Sequence, residues 1–114
     1  MALYGWDNEQ KDRYIYLLLF HDRRVYVGQS VNPIKRIQAH RRPSGCWKEP
    51  FFPLVVHHVL GAEIDAIHAE YAWRWRAHLS DWKPITLDGL TFDFSSFRDR
   101  SKTQGEKLPW PFIT

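Results

Sequence analysis

The chain is 114 residues long, with 16 Lys and Arg against 13 Asp and Glu, a formal charge of +3 and a sequence pI near 9.2. That length holds one domain, and 44% hydrophobic with 25% charged residues excludes collagen-like and wholly disordered chains. The apolar runs fall far short of the roughly 20 residues of a membrane span, the N-terminus lacks the regions of a signal peptide, and Cys46 has no second cysteine to pair with, so the expectation is a cytoplasmic protein with no membrane partner.

Residues 1–12 mix Trp6 with acids and amides without periodicity and read as a lead-in to a domain spanning 13–94. Tyr14 to Phe20 is an unbroken apolar run, closed by the turn-like His21-Asp22-Arg23-Arg24 and followed by Val25-Tyr26-Val27-Gly28. This predicts a β-hairpin whose first strand is covered on both faces. Asn32-Pro33 supplies an N-cap with proline at the first helical position, the helix continues from Ile34 to Arg41, and Pro43, Ser44 and Gly45 stop it. Phe51 to Leu60 predicts a third strand with Pro53 near its start, and Gly61 ends it. From Ala62 to Leu79, Ile64, Ile67, Tyr71, Trp75 and Leu79 recur at helical spacing and predict an amphipathic helix with that stripe in the core. Ile85 to Phe94 offers a short strand or extended segment around Asp88-Gly89. Residues 95–114 form a polar tail ending in Leu108-Pro109-Trp110-Pro111-Phe112, either docked by its rings or disordered. The expected fold is a single α+β domain on a small, mainly antiparallel three-stranded sheet flanked by helices.

The charge is unevenly spread. Between His21 and Lys48 stand Arg23, Arg24, Lys35, Arg36, Arg41, Arg42 and Lys48 against Asp22 alone, which makes that segment +6 and the remainder −3. Such a segment is either a solvated face or a phosphate-contacting surface. Eighteen aromatic rings, six of them tryptophan, could fill the core of so short a chain several times over, or some could stay outside and meet a partner, and composition does not separate the two.

Three features line up closely: a tyrosine-bearing strand, a second strand ending Tyr26-Val27-Gly28, and a helix with Arg36 and His40 one turn apart. Together they resemble the GIY-YIG nucleases. Tyr14-Ile15-Tyr16 stands at the first tripeptide and Tyr26-Val27-Gly28 at the second. Arg36 and His40 match the family's arginine-and-histidine helix, and Glu70 falls where the family carries its metal-binding glutamate. The resemblance covers roughly 13–89. It implies a divalent-metal-dependent endonuclease acting on DNA, with Tyr16, Tyr26, Arg36, His40 and Glu70 as catalytic residues and Mg²⁺ or Mn²⁺ held by Glu70.

The residue types suit that chemistry. A guanidinium stays charged and its fork can hold two phosphate oxygens, which fits Arg36. Magnesium keeps most of its waters and takes one or two carboxylates, so a single glutamate is sufficient. The family assigns proton abstraction to a tyrosine. Tyr16 is preferred over Tyr26 here, with His40 polarising or relaying and Tyr26 holding the phosphate. An ionising phenol implies a rate that climbs toward alkaline pH. One geometric condition follows: the two tyrosines share a sheet face only if Tyr16 pairs with Gly28 and Leu18 with Tyr26, which demands an odd-length loop or a bulge.

Each residue also has a plainer role. Tyr16 and Tyr26 can be half-buried strand aromatics, Arg36 and His40 exposed helix residues, and Glu70 the i, i+4 partner of Arg74. Two departures from the family pattern stand out. Tyr14 replaces a glycine, and the late asparagine is missing, with Thr86 or Asp88 nearest its place. The second departure motivates an alternative: a catalytically weak or inactive module on the same fold that binds nucleic acid or a partner. Phosphate contacts are expected from Arg23, Arg24, Lys35, Arg41, Arg42 and Lys48, and base stacking from Trp47 or Trp110. Target selectivity is expected from inserted segments, the tail, a second copy of the chain or a specificity-providing partner protein.

Overall fold

Strand β1 (Lys11–Leu19) lies inside a four-stranded sheet ordered β3-β1-β2-β4, paired antiparallel with β2 (Arg24–Ser30) and with β3 (Phe52–Gly61). Helices α1 (Pro33–Arg41), α2 (Glu63–Leu79) and α3 (Asp99–Glu106) and the short strand β4 (Lys83–Ile85) complete the element order β1-β2-α1-β3-α2-β4-α3. The computed structural model describes residues 7–42, 47, 49–95 and 99–110, so Trp6, Pro43 to Cys46, Lys48, Pro111 and Phe112 lie outside the described residues.

The alternation of β1 divides the interior into two layers. Ile15, Leu17 and Leu19 join Val25 and Val27 of β2 against Trp73 and Ala77 of α2. Tyr16, Leu18 and Phe20 face the other way, toward Ile37 of α1, Trp47 and Ile85. Both faces of the strand are covered, as the unbroken apolar run predicts.

The sheet has a fourth strand beyond the three expected, and it is mixed: β4 runs parallel to β2, pairing Val25 with Pro84 and Tyr26 with Ile85. Proline is tolerated there because β4 is an edge strand. Beyond it the chain turns at Thr86 to Gly89 and returns through a bridge between Ile85 and Thr91, so Ile85–Phe94 is a strand end, a turn and a bridge. A bulge in β3 between its pairings with Ile15 and Tyr16 leaves Val56 without a partner on β1.

Helix α2 buries a different face from the one its large apolar residues mark. Its buried residues are Ala66, Ala72, Trp73 and Ala77, whereas Tyr71 is 37% and Leu79 45% exposed. Small side chains let the helix axis approach the sheet, and the Tyr71 and Trp75 rings are covered by Phe92 and Phe94 instead. The tail docks here as well. Gly105 of α3 meets α2 so closely that a Cβ would strike the Ala72 carbonyl oxygen and lie 3.1 Å from Trp75 Cβ. Trp110 packs against Trp73 and Trp82 with ring centroids 6.4 and 5.9 Å away.

Strand β1 begins at Lys11, two residues before the expected start of the domain, and Asp7 ahead of it is tied down. Asp7 exchanges backbone and side-chain hydrogen bonds with Glu63 and pairs with Lys11 at 2.9 Å and Arg13 at 3.1 Å. Arg13, 5% exposed, also donates to the Gly61 carbonyl at 2.9 Å, clamping the start of β1 to the end of β3. Among the described residues no helix is long and apolar enough to cross a membrane.

Candidate active site

The site begins with a turn. Phe20 N–H donates to the Arg24 carbonyl and Arg23 N–H to the Phe20 carbonyl, enclosing the loop His21-Asp22-Arg23 with Arg23 at φ 69°. This is a three-residue hairpin connection with its last residue left-handed, an odd-length loop. It sets Tyr16 opposite Gly28 and Leu18 opposite Tyr26, so the two tyrosines share a face, with ring centroids 6.3 Å apart.

Gly28 explains how the Tyr16 ring is accommodated. The phenol lies across the glycine backbone, and a Cβ at residue 28 would overlap the ring carbons and the hydroxyl. Only glycine leaves that space open.

Helix α1 brings the next groups. The Asn32 side chain accepts from Lys35 N–H at 3.2 Å, capping a helix that opens on Pro33. Ile37 anchors the helix to the sheet and His40, 2% exposed, turns inward beside it. The His40 Nε2 lies 2.9 Å from the Tyr16 hydroxyl, and its ring packs 5.6 Å from that of Tyr26. Arg36, one turn earlier and exposed, lies beside the Tyr16 oxygen.

Glu70 approaches from α2, on the other side of the sheet. Its carboxylate accepts from Arg74 Nη2 at 2.6 Å and is flanked by the Gln29 side chain at the end of β2. The i, i+4 pair with Arg74 is therefore formed, with the two side chains 13% and 12% exposed.

The electrostatics follow from these surroundings. Burial, and then the neighbouring Tyr26 and Glu70, push the Tyr16 phenol well above its ordinary range, with Arg36 working against them. Burial and the Arg36 charge lower His40, which is therefore neutral at pH 7. Burial raises Glu70, opposed by Arg74 and Gln29. Neutral His40 and the neutral phenol are thus joined by a single hydrogen bond.

Two curated proteins are similar to this chain over part of its length. The structure-specific endonuclease subunit SLX1 of Mus musculus and that of Rattus norvegicus are each 33% identical over 61 residues, covering 47% of this chain. The match spans only 23% and 22% of those two proteins. No family model matches the chain, and no solved structure matches it significantly.

Other expected contacts are distributed unevenly. Lys35, Arg41 and Arg42 are exposed on α1 and just beyond it, with Arg41 over the Phe51 ring. Arg23 sits half-buried in the hairpin turn. Arg24 is engaged, pairing with Asp22 at 2.7 Å and Glu49 at 2.5 Å. Trp47 is 8% exposed and packs on Phe20 and Tyr26, so it belongs to the core rather than to a stacking surface. Trp110 is half-buried between tryptophans. Thr86 spends its hydroxyl closing its own turn by accepting from Leu90 N–H at 3.2 Å, and Asp88 is exposed on that turn.

Gln29 is a member of the site that the motif residues do not include. Its signal is present in the hairpin parity: residues 25, 27 and 29 of β2 face α2, and Gln29 is the polar one at the strand end.

Whether these residues fit a divalent cation can be judged from the donor set. Glu70 offers a half-buried carboxylate with one oxygen already held by Arg74. One oxygen donor with water completing the shell fits Mg²⁺ or Mn²⁺. Among the described residues no three His, Cys, Asp or Glu converge as a zinc-type site requires.

Proposed function

We propose that the protein is a divalent-metal-dependent endonuclease that hydrolyses DNA phosphodiester bonds at Tyr16, Tyr26, Arg36, His40 and Glu70. The observation that carries this is the Tyr16–His40 hydrogen bond with Arg36 beside the same phenol oxygen. It unites a proton acceptor and a phosphate-binding cation at one point. The partial similarity to endonuclease subunits supports the same reading.

In this mechanism His40 carries its proton on Nδ1 and Nε2 accepts from the Tyr16 hydroxyl. Tyr16 takes a proton from the attacking water as its own proton passes to Nε2, so the buried phenol never bears a full charge. The new hydroxide attacks phosphorus, the bond to the 3′ oxygen breaks with its electron pair staying on that oxygen, which takes a proton from solvent, and the imidazolium afterwards returns its own proton to solvent. Charge growing on the phosphoryl oxygens meets the Arg36 fork, while the Tyr26 hydroxyl holds the phosphate. Glu70 would hold Mg²⁺ or Mn²⁺, which when bound supplies Lewis-acid stabilisation of the leaving oxygen. Lys35, Arg41 and Arg42 extend the positive surface along the DNA backbone, joined in this reading by Arg23 and Lys48. A specificity-providing protein or a second copy selects the target.

The test is plasmid nicking with Mg²⁺ or Mn²⁺. Arg36→Ala and Glu70→Ala are expected to lose about 10²–10³-fold in rate. Equal activity in wild type and both variants would overturn the proposal.

A second reading, a module that binds nucleic acid or a partner without turnover, is favoured by the Glu70–Arg74 ion pair, which already occupies one carboxylate oxygen. Steeply salt-dependent DNA binding with no cleavage in any divalent metal would mark it.

A further inference from the structure

Arg74 is enclosed far beyond what a helix-surface ion pair needs. Its Nη2 donates both to Glu70 Oε1 at 2.6 Å and to the Val27 carbonyl of β2 at 3.2 Å. Its guanidinium carbon lies 4.6 Å from the centre of the Phe92 ring and 5.4 Å from that of Tyr71. Phe92 is fixed in turn by its N–H, which donates to the Pro84 carbonyl at 2.9 Å. Helix α2, strand β2 and the segment after β4 thus converge on one side chain that is 12% exposed.

An exposed pair at this spacing contributes only about 0.3–0.5 kcal/mol and leaves both partners free to move. Here the guanidinium is held from three directions, and one nitrogen joins the carboxylate to a backbone carbonyl. Val27 immediately precedes Gly28, across which the Tyr16 ring lies. The short stretch of β2 that seats the tyrosine therefore also fixes the carboxylate.

We propose that Arg74 is a positioning residue: by bridging Glu70 Oε1 to the Val27 carbonyl it holds the Glu70 carboxylate in one orientation and makes it a one-oxygen donor for a divalent cation. This rests on the reading of Glu70 as the metal-holding residue. The opposite account is electrostatic, since a guanidinium beside a cation repels it and competes for the same carboxylate. The two accounts predict opposite signs. Hydrogen-bonded partners that orient a ligating side chain typically change metal affinity by about 10–100-fold when removed.

The experiment is Mn²⁺ binding followed by electron paramagnetic resonance at constant pH, without DNA, on the full chain. Arg74→Met keeps an apolar stem against Phe92 but removes both hydrogen bonds, and is expected to bind Mn²⁺ about 10–100-fold more weakly. Arg74→Lys keeps the charge without the fork and is expected to fall between the two. Glu70→Gln is expected to abolish binding. Mn²⁺ affinity equal to or above wild type in Arg74→Met overturns the inference and identifies a competitor. Should Arg74→Met fail to fold, judged by its melting curve, Arg74→Lys decides: wild-type or higher affinity overturns the inference and weaker binding supports it. Absence of Mn²⁺ binding by wild type overturns the metal role of Glu70 itself, and this inference with it.

Discussion

The Tyr16 hydroxyl stands 2.9 Å from Nε2 of His40, a residue 24 positions further along the chain. Burial acts on the two in opposite directions, raising the phenol and lowering the imidazole, so both are neutral around pH 7. A pair of this kind loses its proton acceptor in acid and gains nothing from phenol ionisation in mild alkali. The nicking rate is therefore expected to fall as pH drops below the ordinary histidine value of 6.5 and to stay level up to about pH 9. This modifies the alkaline climb that an isolated phenolate implies. A rate rising about tenfold per pH unit between 7 and 9 would show a free phenolate base instead.

Replacing Gly28 by alanine places a methyl group on the Tyr16 ring. The ring has no room to retreat, because Tyr16 is 1% exposed and bonded to His40. A loss of about 1–3 kcal/mol in urea unfolding is expected, the usual cost of overpacking. Nicking by the folded fraction should fall further than nicking by Gly105→Ala, which strains the α2–α3 contact away from the phenol. Equal losses would show that Gly28 matters for packing alone.

His57 provides an independent check. Trp73 Nε1 can only donate, and it donates to His57 Nδ1 at 2.8 Å, which leaves the neutral imidazole proton on Nε2. Nitrogen NMR of the histidine ring is expected to report that tautomer, and Trp73→Phe to release it at a cost of about 1–2 kcal/mol. Burial lowers both His57 and His40, so the unfolded chain binds more protons than the folded one in mild acid. The contribution of these two groups to stability is complete above pH 6.5 and declines as pH falls toward their folded values. Rising stability on acidification from about pH 7 to 5.5, measured for wild type against His40→Ala and His57→Ala, would contradict this sign.

The basic residues are expected to differ in their effect on DNA binding. Arg24 is held by Asp22 and Glu49, so Arg24→Ala should change affinity little. Lys35 and Arg42 are exposed, and their charge reversals should weaken binding and flatten its dependence on salt, by about one unit of slope for each phosphate left unneutralised. Filter binding across a salt series distinguishes them.

Much of this arrangement is legible in the sequence. The pairing of Tyr16 with Gly28 is a parity requirement, and the chain meets it with Arg23 in the left-handed region, which residue type alone does not announce. The capped helix carrying Arg36 and His40 is local and therefore visible. The α2 core face is not, because hydrophobicity ranks Tyr71 and Trp75 above alanine, whereas close approach to a sheet favours Ala66, Ala72 and Ala77. Strand β4 escapes because three residues including Pro84 carry no periodicity. Trp47 is unassignable from sequence because its burial depends on Phe20 and Tyr26, both distant along the chain. The enclosure of Arg74 depends on Phe92 reaching back across α2, which the i, i+4 spacing to Glu70 does not reveal.

Tyr16, Tyr26, Arg36 and His40 all come from the β1-β2-α1 unit, whereas Glu70 comes from α2, which follows β3 on the opposite edge of β1. A hairpin and the helix that follows it close short loops and can assemble early, while the pairing of β1 with β3 and the docking of α2 require longer-range closure. On a ribosome the side chains of Tyr16, Tyr26, Arg36 and His40 emerge before that of Glu70, and the Tyr16 layer is closed only when Trp47 and Ile85 join it. Under the proposed function, the cutting centre is finished only when α2, the last large helix, docks against the sheet.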